Sequence, residues 1–153
     1  EDKMLLLSYI LFTSTALGSD YRKVWHWESS KPPKIVICKD AKTNRLTVEK
    51  SVAFWKEKGY KFGDINEDTA ACNNSWSYNT ILIRGDKNLD TDIWNAYSTP
   101  WQNTETGKLM SVVIQFENDL ANTVDLVNHE LGHALGFGHS SDYHNVMYCE
   151  RNY

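Results

Sequence analysis

The spacing of apolar and polar positions predicts alternating strands and helices, ending in one long amphipathic helix. Lys34 to Cys38 is a short β-branched run bounded by Pro32-Pro33 and Lys39-Asp40, which suits a central strand. Thr47 is placed to cap a helix in which Val48, Val52 and Trp55 recur at helical spacing and which Gly59 ends. Tyr60-Lys61-Phe62 reads as a second short strand and Asn79 to Arg84 as a clearer one, turned by Gly85-Asp86. Residues 87–109 are polar with weak periodicity, a surface excursion holding one edge strand near Asn95-Ala96-Tyr97-Ser98. Met110 to Phe116 is a strong strand. Asn118 or Asp119 can then cap a helix with the stripe Leu120, Val124, Val127, Leu131, Ala134 and Leu135, and Gly136 and Gly138 let it stop.

The opening run from Met4 to Ser19 is apolar and followed by small residues, like a secretory leader, yet its flank Glu1-Asp2-Lys3 is not basic. Two readings stay open for residues 1–23: a strand or short helix that covers the domain, or a retained leader or prosegment. The apolar run is shorter than the roughly 20 residues that span a bilayer, so no stable membrane span is expected.

At 153 residues with 41% hydrophobic content, the chain fits one domain over residues 1–153 with a sizeable core. A net charge of −4 without a sustained basic run argues against nucleic-acid binding. Cys38, Cys72 and Cys149 allow one disulfide, with Cys38 paired to either partner, or three free thiols. Asp86, Asn88, Asp90 and Asp92 alternate in a loop, but the run lacks the glycine and closing glutamate of a helix-loop-helix calcium site. A solvated turn is the expected reading there, with Ca2+ as the alternative.

The chemistry is concentrated between His129 and His139. On a helix, positions four apart share a face, so His129 and His133 can present two imidazole nitrogens to one ion. The stripe through Val127, Leu131 and Ala134 points away from them. His139 follows the Gly136 turn and supplies a third ligand, the number expected of a catalytic zinc ion, which keeps one position for water. Glu130 is next to His129 and outside the ligand set, which suits a general base acting on a metal-activated water. A purely structural zinc needs a fourth protein ligand, for which Cys149 and His144 are the candidates.

His129, Glu130, His133, Gly136 and His139 match the pattern His-Glu-x-x-His-x-x-Gly-x-x-His, and Met147 stands where a methionine turn follows. In these residues the chain resembles the metzincin metallopeptidases. Leu135 to Ser140, the eight-residue step from His139 to Met147, and Met147-Tyr148 make it most similar to the matrixins, the matrix-metalloproteinase type. The resemblance implies an α+β, zincin-like catalytic domain: a twisted mixed β-sheet of four to five strands, two main helices and zinc in a cleft. It implies a secreted or extracellular zinc endopeptidase acting on protein or peptide substrates, here expected to be a monomer, with Met147 as an apolar floor beneath one zinc. The alternatives are a zinc-retaining module that binds without catalysis and a hydrolase of non-peptide amides.

The chain departs from the matrixin pattern in several places. Cys149 replaces the usual proline, no C-terminal helix is expected between Met147 and Tyr153, and residues 1–153 do not contain the Pro-Arg-Cys-Gly motif. The opening segment is expected to cover the side such a helix would close, and Asp20 is a candidate carboxylate plug. For substrate binding, Tyr97-Ser98-Thr99 is the candidate edge strand, the alternative being an irregular loop. Val146 and the 143–145 loop, with Tyr143 and nearby Tyr148, are expected to wall a pocket for the side chain after the cut. Asp125 either lies near that pocket's base, favouring basic or polar side chains, or is a solvated helix residue.

Overall fold

The β-branched runs pair into a mixed sheet. The computed structural model describes residues 4–6, 23–85, 96–116 and 122–149. Strands β2 (Lys34–Ile37), β3 (Ile65–Glu67), β4 (Thr80–Gly85) and β6 (Leu109–Phe116) run parallel, and β5 (Ala96–Asn103) lies antiparallel to β6. With β1 (Met4–Leu6) the order is β1-β5-β6-β4-β2-β3. The α+β mixed sheet is as expected, with β3 at a different place and one short addition, β1, paired antiparallel to Trp101–Asn103 of β5.

Continuous apolar runs form the sheet's centre because its parallel strands are covered on both faces. Successive side chains alternate. Ile35, Ile81, Val112 and Ile114 face helices α1 (Arg45–Glu57) and α2 (Val124–Ala134), in one core with Val48, Trp55 and Leu131. Val36, Leu82 and Val113 face the other way, into a smaller core with Cys38 and Trp101. The disulfide Cys38–Cys72 closes that second core by tying the end of β2 to a 3₁₀ turn at Ala70–Asn73. Cys149 is free and exposed. The loop closed by the disulfide spans 34 residues, so reduction should cost about 3–4 kcal/mol of unfolding free energy, measurable by urea unfolding with and without reductant.

Three boundaries differ from expectation, each through a contact distant in sequence or a better local cap. Helix α1 starts at Arg45 because Asn44 caps it, its Oδ1 accepting from the Thr47 amide at 2.9 Å. Tyr60-Lys61-Phe62 is not a strand: Tyr60 packs edge-on against Trp55 and Phe137, and Phe62 is buried in the main core. The strand is Ile65–Glu67, paired with β2. The strand expected near Ala96–Ser98 is present and longer, running through Pro100, but it is second from the edge, with β1 paired outside it at Trp101–Asn103. The capping residues proposed for the long helix, Asn118 and Asp119, and the Asp86–Asp92 run lie outside the described residues.

Met4–Leu6 lies on the sheet edge, while the rest of the opening segment, with the candidate plug Asp20, lies outside the described residues. Residues 23–27 pack at the end of α2. Val24 and Trp25 amides donate to the Gly136 carbonyl at 2.7 and 3.1 Å, and Trp27 Nε1 donates to the Ala134 carbonyl at 2.8 Å. Helix α2 would otherwise end in unpaired carbonyls, and these donors satisfy two of the groups at that end.

Candidate metal centre

Helix α2 carries His129 and His133 one turn apart, as their spacing requires. The chain then turns at Gly136, whose φ of +103° is left-handed, and a Cβ there would overlap the Trp25 carbonyl. This sharp return brings His139 back to the helix. His133 Nε2 lies 3.1 Å from both His129 Nε2 and His139 Nε2, and one ligand nitrogen from each ring falls within 4.8 Å of the others.

The hydrogen bonds of the other ring nitrogens fix what these atoms are. His129 Nδ1 lies 2.8 Å from the Val146 carbonyl and His133 Nδ1 2.8 Å from the Phe137 carbonyl. A carbonyl only accepts, so both Nδ1 atoms carry the proton and both Nε2 atoms present lone pairs. Burial, reinforced by His129 and His139, holds His133 well below the ordinary imidazole range; burial, then His129, lowers His139 to about 4. With the Nδ1 atoms of His129 and His133 bonded to carbonyls, the three Nε2 atoms converge on a point where a cation would be held. Zinc–nitrogen bonds of about 2.0–2.1 Å put tetrahedral ligands roughly 3.3 Å apart, so the donor set fits zinc.

The candidates for a fourth protein ligand do not join this group. Cys149 and His144 are exposed, and among the described residues only the three histidines converge. The cluster therefore has the three-ligand form of a catalytic zinc site.

The surroundings differ from expectation in one respect. The stripe through Val127, Leu131 and Ala134 is not the only buried face of the helix: Leu126 to Gly132 are all buried, Glu130 among them at 5% exposure. At Gly132 the helix is packed by Met147, through its sulfur and methyl, and by the Trp55 ring. Met147 is 1% exposed and is held by an Asn145 turn, the Met147 amide donating to Asn145 Oδ1 at 2.8 Å and its carbonyl accepting from the Ser140 amide at 2.9 Å. A Cβ on Gly132 would overlap Met147 Sδ and come within 2.8 Å of Trp55. Gly132→Ala is therefore expected to cost about 1–3 kcal/mol by overpacking and to lower zinc retention, read by urea unfolding and by zinc content after dialysis.

Glu130 is buried with its carboxyl beside β5. Ser98 Oγ donates to Glu130 Oε2 at 2.6 Å. Burial pushes the Glu130 carboxyl up, against the opposing pull of His129 and of this hydroxyl. Of the other predicted residues, Tyr97 and Thr99 flank Ser98 and are half-buried; Val146 is buried behind His129. Tyr143 is 69% exposed and edge-on to Tyr148 with ring centroids 5.4 Å apart. Asp125 is exposed in the first turn of α2, where a carboxylate complements the helix dipole.

Gly132, Asn145, Asn128 and Trp27 are supporting residues that the residue pattern alone does not mark. Asn128 anchors α2 to α1, its Oδ1 accepting from Ser51 Oγ at 2.6 Å and its carbonyl from Trp55 Nε1 at 2.9 Å. Only Gly132 left a trace in the sequence, as a glycine at a helix-interior position where it is otherwise unfavourable.

A three-histidine zinc site on a helix and its return loop, beneath a mixed sheet and beside a buried glutamate, defines a zinc-dependent endopeptidase of the metzincin type. The chain belongs to the matrixin family, whose pattern it matches over residues 26–153. Comparison with individual curated proteins finds no match. Its substrates are accordingly proteins or peptides. No helix among the described residues is long and apolar enough to cross a membrane.

Proposed function

We propose that Glu130 is the general base of peptide-bond hydrolysis at this site, and that the peptide lies along β5 beside it. The observation that carries the reading is the placement of a buried carboxyl directly after His129, outside the ligand cluster and against the strand. Zinc held by His129, His133 and His139 supplies Lewis acidity, acidifying water and polarising a scissile carbonyl. Glu130 takes a proton from the attacking water as its oxygen bonds to the carbonyl carbon, then passes that proton to the amide nitrogen as the carbon–nitrogen bond breaks. The products are a carboxylic acid and an amine, and nothing becomes covalently attached to the chain. Met147 acts as an apolar floor, a thioether being a good filler and a poor zinc ligand.

The Tyr97-Ser98-Thr99 stretch of β5 runs beside Glu130, and an extended peptide would lie along it. Val146, Tyr143 and Tyr148 wall the pocket for the side chain after the cut, the exposed Tyr143 ring forming its outer rim. The disulfide Cys38–Cys72 supports an extracellular location, since such bonds persist in oxidising compartments. The enzyme works as a monomer, with residues 1–23 an extension to a single catalytic domain.

Cleavage of a diverse peptide library by zinc-loaded protein tests this, with metal-stripped protein and Glu130→Ala run beside it. Cleavage lost in both controls supports the mechanism, and a preference for basic or polar side chains after the cut would assign Asp125 to the pocket. Absence of cleavage by protein that holds one zinc would overturn the reading in favour of a zinc-retaining binding module.

A further inference from the structure

We propose that Ser98 is a positioning residue for Glu130, so that the strand proposed to receive the peptide also sets the orientation of the base. The inference rests on the general-base reading of Glu130 and adds a residue that acts through it.

Ser98 sits opposite Ile114 on β6, so its side chain shares the helix-facing side of the sheet with that fully buried residue. Its neighbours on the same face of β5, Ala96 and Pro100, are buried and apolar. A hydroxyl among apolar positions needs a partner, and the partner here is Glu130 Oε2 at 2.6 Å, a separation typical of hydrogen bonds to an ionised carboxylate. Ser98 Oγ also lies 3.5 Å from the Glu130 carbonyl oxygen, so the hydroxyl sits over the base of that side chain as well as its tip.

Two consequences follow for the reaction. A glutamate side chain has three rotatable bonds, and a hydroxyl at one carboxylate oxygen restricts their rotation, leaving Oε1 to meet the water. Proton transfer depends steeply on such placement. Ser98 is also carried by β5, so a peptide docking along Tyr97–Thr99 bears on the residue that holds the base. With its proton committed to Glu130, Ser98 acts on the carboxylate and the adjoining backbone acts on the peptide.

The test compares Ser98→Ala, Ser98→Thr and Glu130→Gln in zinc-loaded protein. It measures kcat and KM on an extended peptide, zinc content and the unfolding midpoint. Ser98→Ala is expected to lower kcat by about tenfold to thirtyfold with KM within about twofold, retaining one zinc and an unchanged midpoint. Ser98→Thr keeps the hydroxyl on a side chain suited to a strand and should restore kcat to within about threefold of the original protein. A rise in KM with kcat intact would overturn the proposal and make Ser98 a substrate contact. Unchanged constants, or equal loss in both Ser98 variants with loss of zinc or stability, would overturn it too. If Glu130→Gln is inactive while Ser98→Ala is fully active, the positioning role fails and the base reading stands. If Glu130→Gln stays active, the base reading itself fails.

Discussion

Glu130→Ala should lower kcat for peptide hydrolysis by roughly 10²–10⁴-fold while the protein keeps its zinc, because that is the usual share of a positioned general base. The separation of the two effects follows from geometry. The three ligand nitrogens come from His129, His133 and His139, and Glu130 contributes no atom to that group. Removing its carboxyl leaves the ligand set whole. Alanine also opens space in a buried site and leaves the Ser98 hydroxyl without its carboxylate, so Glu130→Gln, which preserves shape, is the stricter variant. Steady-state kinetics beside metal analysis checks the expectation. Loss of zinc in Glu130→Gln would show that the carboxyl helps hold the ion.

Metal removal should abolish cleavage, and added Zn2+ should restore it. A ligand that binds only the folded state at a thousand times its Kd adds about 4 kcal/mol to stability, so the stripped protein should also melt lower. Its stability should then depend on pH in a definite sense. His139 is lowered to about 4 and His133 lies well below the ordinary range of about 6.5, so the unfolded chain takes up protons that the folded one refuses. Stability carried by these neutral rings is present above about pH 6.5 and is lost as the pH falls toward 4. Glu130, raised by burial, acts in the opposite sense, contributing stability below about 4.5 that is lost as the pH rises. Two imidazoles oppose one carboxyl, so the metal-free protein should weaken on acidification between pH 6.5 and 4. In the zinc-loaded protein the fall should be displaced to lower pH until protons displace the metal. Thermal unfolding of both forms across that range reads the difference directly.

The disulfide shows what kind of information a linear reading lacks. Cys38 was equally open to Cys72 and Cys149, and pairing was decided by where the 3₁₀ turn at Ala70–Asn73 meets the end of β2. The same holds for the N-terminal region: Val24 and Trp25 close the end of α2 through backbone amides, which carry no side-chain signature. Tyr60 and Phe62 were misread as strand because aromatic residues suit strands as well as the corner of a core, and only packing against Trp55 and Phe137 separates the two.

The metal ligands were legible from the chain alone because their geometry is local. Residues four apart meet on any helix, and a glycine turn returns the third ligand within a few residues, so His129, His133 and His139 converge whatever the rest of the domain does. The central strands were legible for a related reason: continuous β-branched runs can be buried on both faces in few other ways. Contacts made across long separations were settled only by the tertiary structure. The Val146 carbonyl on His129, the Trp27 indole on Ala134 and the Ser98 hydroxyl on Glu130 join positions 17, 107 and 32 residues apart. Each depends on how sheet, helix and return loop pack together, and no spacing rule links such residues before the chain has folded.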